Sequence, residues 1–84
     1  MSITFRQLEI FIAVAETQQV TRASKKLHLT QSAVSMALGE LENQLGGPLF
    51  DRHGRSLLLH DSGLSLRPLA MQLPHQVADI QTIL

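Results

Sequence analysis

Ser32, Ser35, Met36, Gly39 and Asn43 recur on one side of a helix that starts at Gln31 and turns by roughly 100° per residue, opposite an apolar stripe at Val34, Leu38, Leu41 and Leu45. The first turns of that polar side carry groups suited to the edges of nucleobases. The Gln31 amide can pair bidentately with adenine, and the hydroxyls of Ser32 and Ser35 can bond to several bases. The Met36 thioether can lie against a thymine methyl. Small side chains along the same side permit close approach of the helix backbone. Thr30 stands just before the run, where a threonine caps a helix N-terminus. In isolation these residues are equally an ordinary solvated helix surface, so the elements that carry them decide.

Those elements have the spacing of a helix-turn-helix. A short helix is predicted from Val20 to Leu27, with Val20, Ala23 and Leu27 inward and Ala23 small where two helices must approach. His28-Leu29-Thr30 make the turn, with Leu29 plugging the core, and a longer helix runs from Gln31 to Leu45 until Gly46-Gly47-Pro48 stops it. A pair of helices so joined is built to push the second into the major groove of DNA. Upstream, Thr4 and Gln7 have the form of a capping box for a helix from Phe5 to Thr17. Phe5, Leu8, Phe11, Ile12 and Ala15 form its expected core stripe, with a second strip at Ile3, Ile10 and Val14. Downstream, Leu49–Arg52 and Ser56–Leu59 have the pattern of two short strands around His53-Gly54-Arg55, a small hairpin wing. From Asp61 the pattern is helical again, with Leu66, Ala70, Leu73, Val77, Ile80 and Leu84 in heptad-like rhythm and Leu69 and Ile83 beside it. Pro68 and Pro74 should bend that helix.

Bulk properties narrow the function. Eighty-four residues make one small domain with a modest core, too little for a substrate domain or a deep catalytic pocket. There are no cysteines, which excludes disulfides and thiolate metal sites. His28, His53, His60 and His75 lack a close ligand pair, and Asp51 with His53 resembles catalytic parts by composition alone, so no metal, no cofactor and no enzyme activity are expected. No segment has the length and apolarity of a membrane span, and the first residues lack the zones of a signal peptide, so the expected location is cytoplasmic. Seven basic and seven acidic residues cancel, yet Arg22, Lys25, Lys26, Arg52 and Arg55 fall in two short clusters. Arg22, near the start of its helix, should face the DNA backbone, and Arg55, at the wing tip, should reach a phosphate or a minor groove; Lys25 and Lys26 are expected to be solvated.

The whole chain resembles the N-terminal DNA-binding domain and linker helix of LysR-type transcriptional regulators. The resemblance is carried by FRQLEIFIAVAET, by TRAS and KKLHLTQSAVS in the motif, and by LENQLGGPLFDR leading to HGRSLLLHDSG. It implies a mainly α fold: a winged helix-turn-helix with a three-helix core and a small β-hairpin wing over residues 1–60, then a long linker helix over 61–84. It also implies dimerisation through that helix, and a large C-terminal effector-binding domain in the full regulator, so that this chain is a fragment and any small-molecule effector acts through the missing part. Arg52 lies in the family's LF-acid-Arg pattern, which leaves two roles open, phosphate contact or an ion pair bracing the wing. Departures from the family are Ser32 where a proline is usual, Met36 where a basic or polar residue is common, Gln19 at the usual serine cap, and His60 where a threonine often caps the linker.

The expected function is therefore sequence-specific binding of double-stranded DNA by Arg22, Thr30, Gln31, Ser32, Ser35, Met36, Arg52 and Arg55. Leu66, Leu69, Leu73, Val77 and Ile80 cannot all be buried by one small domain, which points to a homodimer, with part of the linker packing on the strip at Ile10 and Val14. The competing expectation is a winged helix used for protein–protein contact, favoured by the zero net charge and by Met36.

Overall fold

The computed structural model describes residues 2–84. Helix α1 spans Phe5–Thr17, α2 Val20–Leu27 and α3 Gln31–Leu45; the strands β1, Phe50–His53, and β2, Ser56–Leu59, form a two-stranded antiparallel hairpin; α4, Asp61–Ala70, and α5, Gln72–Gln81, follow.

The capping box at the start of α1 is made in full. The Gln7 N–H donates to Thr4 Oγ1 at 3.1 Å, and the Thr4 N–H donates to Gln7 Oε1 at 2.9 Å. This geometry corrects the expected core stripe. The face turned fully inward is Gln7, Ile10, Phe11 and Val14, joined by Ala13, while Phe5 is 43% exposed and Ile3 is exposed as well. Leu8, Ile12 and Ala15 are half-buried at the flank. Positions 7, 10, 11 and 14 follow the i, i+3, i+4, i+7 pattern of a buried helix face. That stripe escapes an inspection of apolar residues because one of its members is a glutamine. Gln7 is tolerated there because the cap satisfies its side-chain oxygen locally.

Helix α2 crosses α1 and α3 through Ala23, which is fully buried; any larger side chain there would force the helices apart. Its end is closed by His28 in the left-handed region (φ 56°), with the Leu29 N–H bonded to the Ser24 carbonyl at 2.9 Å. Thr30 caps α3 by accepting the Ala33 N–H at 3.0 Å, and Gly46 (φ 89°) closes it. Val34, Leu38 and Leu41 are buried as expected. Leu45 is not: it is 44% exposed, because the apolar repeat of α3 continues one turn beyond the body it packs on.

The wing begins at Phe50 rather than Leu49 and turns on Gly54-Arg55, with His53 paired to Ser56. Only the first turn residue has positive φ (Gly54, 62°), as a type II′ hairpin requires. Its root is fixed at two points. Phe50 packs on Phe11 with ring centroids 5.5 Å apart, and the Leu57 N–H donates to the Gln18 carbonyl at 2.8 Å. The loop before the wing is held by Glu42, whose Oε2 accepts the Leu49 N–H at 2.6 Å.

The linker is helical as expected, with a single break at Met71, which keeps right-handed helical angles (φ −66°, ψ −16°). Pro74 accounts for the break, since it has no N–H to give the Ala70 carbonyl one turn earlier. The start of α4 is sewn onto the domain. The Ser62 hydroxyl donates to the Pro48 carbonyl, the His60 N–H donates to the Leu49 carbonyl at 2.9 Å, and Gly63 and Ala70 are buried. Helix α4 packs against α1, and its buried Ala70 belongs to the same core cluster as Ile10 and Val14, with Leu66 packed against that cluster; farther along, Pro74 of α5 borders a shallow cleft with Glu9, Ile12, Ala13 and Glu16.

Two glycines should respond oppositely to alanine. A Cβ at Gly63 would sit 2.2 Å from the Leu49 carbonyl oxygen, so Gly63→Ala should destabilise by about 1–3 kcal/mol or more. A Cβ at Gly39 meets nothing within 4 Å, so Gly39→Ala should stabilise by roughly 0.5–1 kcal/mol through helix propensity. Urea denaturation followed by circular dichroism measures both.

Candidate nucleic-acid interface

The sequence-selected residues Arg22, Thr30, Gln31, Ser32, Ser35, Met36, Arg52 and Arg55 are all exposed. Thr30 through Met36 are presented by the leading half of α3, whose other face is locked into the core by Val34, Leu38 and Leu41. The helix cannot roll to hide its polar side without unburying that stripe. Thr30 Oγ1 is engaged as the cap, which leaves its hydroxyl hydrogen free to donate outward. Gln31, Ser32 and Ser35 carry no side-chain hydrogen bond among the described residues, so their donors and acceptors remain available.

The wing brings Arg52, Gly54 and Arg55 to a shared cleft with Gln19, Val20 and Thr21, the leading end of α2. The Gln18–Leu57 hydrogen bond sets this arrangement, because it ties β2 directly to the turn before α2. Gln19 occupies the N-cap of α2 and makes no side-chain cap. The Val20, Thr21 and Arg22 N–H groups of that first turn have no hydrogen-bond partner among the described residues and lie at the positive end of the helix dipole. Two guanidinium groups beside an uncapped helix start form an electropositive notch. Nothing in the sequence marks Thr21 as part of this cleft, and for Gln19 the one signal is its place where a serine cap is usual.

The charge pattern follows from which ions are paired. Arg6 pairs with Glu9 at 3.5 Å and Lys26 with Glu16 at 2.5 Å, and the His60 ring is hydrogen-bonded to Asp51 at 2.9 Å. Lys26 thus pairs from α2 to α1 while remaining solvated. Arg22, Lys25, Arg52, Arg55 and Arg67 have no carboxylate within 4.0 Å among the described residues. Arg52 therefore has no ion pair with which to brace the wing; its neighbour Asp51 faces His60 instead. A chain with zero net charge thus leaves unpaired cations on the wing and on α2, while Glu9, Glu16 and Asp51 are engaged elsewhere. The four histidines sit on separate elements, and no cluster of three or more metal-ligating side chains occurs among the described residues.

The bacterial regulatory helix-turn-helix protein model of the lysR family matches residues 5–64. Over 83 residues the chain is 47% identical to the uncharacterized HTH-type transcriptional regulator YeiE of Escherichia coli K12, covering 99% of this chain and 28% of YeiE. The chain thus spans little more than a quarter of that relative's length. Among solved structures, BenM_DBD in its complex with benA site 1 DNA has a TM-score of 0.89 at 30% identity, covering 96% of this chain and 94% of that one. CbnR_DBD in its DNA complex gives 0.86 at 32% identity, over 94% and 91%. Matched over most of its length in sequence and almost throughout in backbone, the chain belongs to the lysR family of bacterial regulatory helix-turn-helix proteins.

Proposed function

We propose that this chain is the sequence-specific DNA-binding domain and connecting helix of a larger LysR-type transcriptional regulator, acting as a homodimer on a pseudo-palindromic operator. The observation that carries the proposal is the division of α3 into a face locked in the core and a face of free amide and hydroxyl groups, with an electropositive notch beside α2. The DNA complexes of the similar BenM_DBD and CbnR_DBD support it. The same free polar groups and unpaired arginines disfavour a purely protein-binding winged helix, and the descriptions of the relatives as transcriptional regulators favour binding over catalysis.

Two kinds of contact divide the work. Phosphates hold the register: one backbone oxygen is bonded by the N–H groups at the start of α2, with Arg22, Arg52 and Arg55 supplying charge around it. Bases choose the sequence: Thr30, Gln31, Ser32, Ser35 and Met36 enter the major groove at the leading end of α3. Residues 61–84 connect this domain to the rest of the regulator, where we place effector binding, in the cytoplasm; no helix among the described residues is long and apolar enough to cross a membrane.

The dimer reading rests on the linker's uncovered apolar side. Leu66 is half-buried against its own domain and Leu73 is half-buried, but Leu69, Val77 and Ile80 are 63%, 38% and 65% exposed. Leu69 also borders a shallow apolar groove with Leu45, Leu49 and Leu66. A second copy of the same helix covers such a side symmetrically and sets recognition helices one DNA turn, about 34 Å, or a multiple apart.

Affinity should fall steeply with salt. If roughly three to six phosphates are neutralised per subunit, log affinity drops by about 0.9 per phosphate for each unit of log salt. Arg55→Ala should weaken operator and random DNA alike and flatten that slope; a sequence-selective loss at unchanged slope would make Arg55 a base reader. Gln31→Ala or Ser35→Ala should cost about 1–3 kcal/mol on the operator and relax preference at one position. Equal losses on operator and random DNA would contradict base reading by those side chains.

Sedimentation tests the dimer. Leu69→Asp and Ile80→Asp lie where the monomer is already solvated, so they should leave the fold intact and abolish a dimer present at micromolar concentration. A wild-type chain that sediments as a monomer refutes the linker dimer.

A further inference from the structure

We propose that Met36 is a specificity residue that recognises the 5-methyl group of a pyrimidine in the major groove, a thymine in the first instance. The inference rests on α3 entering that groove as described above. Met36 is 66% exposed at the centre of an otherwise small and polar face. Its neighbours on the helix surface are Ser32, Ala33, Ser35, Gly39 and the exposed Glu40, none of them a large apolar side chain, and the space where a Gly39 side chain would project is empty. The remaining exposed large hydrophobics lie elsewhere: Ile3 and Phe5 around the start of α1, Leu45 at the far end of α3, Leu58 on the wing, and the rest on the linker. Met36 stands apart from all of them, so an extended apolar docking patch does not account for it.

Its chemistry then limits what it can recognise. A thioether donates no hydrogen bond and accepts one weakly, so it has no strong polar partner on guanine, adenine or cytosine. The C5-methyl is the apolar group that a base pair presents in the major groove. An unbranched, flexible side chain can settle against that methyl while Ser32 and Ser35 satisfy polar edges beside it. The same methyl occurs on 5-methylcytosine, which differs from thymine by an amino group in place of a carbonyl at the 4-position. A serine hydroxyl can accept from the first or donate to the second. The recognised chemistry is therefore the methyl, and the two bases that carry it are separated by experiment.

The test uses the 84-residue chain and a duplex selected by it from random DNA, with each thymine replaced singly by deoxyuridine. Losing one buried methyl contact should weaken binding about fourfold at one thymine in each half-site and nowhere else. Met36→Ala should bind the thymine and uracil duplexes equally at that position. At the same position, 5-methylcytosine opposite guanine should bind more tightly than plain cytosine if the methyl alone is recognised; no gain there restricts Met36 to thymine. Met36→Arg should shift the preference at that position to guanine, which offers O6 and N7 to a guanidinium. A wild-type chain indifferent to every uracil substitution, or a uracil penalty that survives unchanged in Met36→Ala, overturns the inference while leaving DNA binding intact. A chain that selects no DNA at all overturns the wider reading as well.

Discussion

The molecule depends on burying one side of α3 against α1 and α2. Val34 and Leu41 reach zero exposure there and Leu38 nearly so, and the fully buried Ala23 lets α2 come close enough to close the contact. The apolar side of α3 has one place to go, so its polar side has none but the solvent. Burying side chains of this size stabilises by about 1.5–3 kcal/mol each, which far exceeds what any weak polar contact on the outer face could recover by turning inward. The exposed polar face of α3 is thus a consequence of core packing, and its residues are free to vary chemically without disturbing the fold.

A second constraint places the wing. Gln18 adopts the left-handed region to end α1, and this points its carbonyl at the Leu57 N–H of β2. One backbone hydrogen bond therefore couples the α1–α2 turn to the hairpin, and the Phe11–Phe50 contact holds the hairpin's other strand. The arginines of the wing are carried to the uncapped start of α2 by backbone geometry rather than by ion pairs of their own. This is why Arg52 remains unpaired: the carboxylate next to it, Asp51, is held by His60 across the base of the wing. His60 stands at the N-cap of α4 without capping it, and its ring bonds the wing instead of the helix end.

Much of this was legible before the structure. Thr30 and the Gly46-Gly47-Pro48 run mark the limits of α3 by local rules, and the helix-turn-helix spacing follows from apolar periodicity alone. Four features were not legible, each for a physical reason. Gln7 hides the buried stripe of α1, because a polar side chain satisfied by its own cap can sit in a core. Leu45 continues a periodic pattern past the edge of the body that buries the rest of it. The break at Met71 depends on which of two prolines removes a bond that matters. The pairings of Lys26 with Glu16 and of Asp51 with His60 join residues ten and nine positions apart through turns whose directions no local rule supplies. The candidate face on α3 was legible residue by residue; the notch formed by Gln19, Thr21, Arg52 and Arg55 required the fold.

The central claim is that DNA meets the leading half of α3, the start of α2 and the wing tip, and leaves the other surfaces free. Amide chemical-shift mapping of the nitrogen-15-labelled chain, titrated with a duplex carrying its selected site, tests this most directly. The account predicts large perturbations at residues 19–22, 30–36 and 52–55, with little change along the exposed flank of α1 around Phe5, Leu8 and Ile12. Perturbations centred on that flank, or spread evenly over the molecule with α3 unmoved, would contradict it.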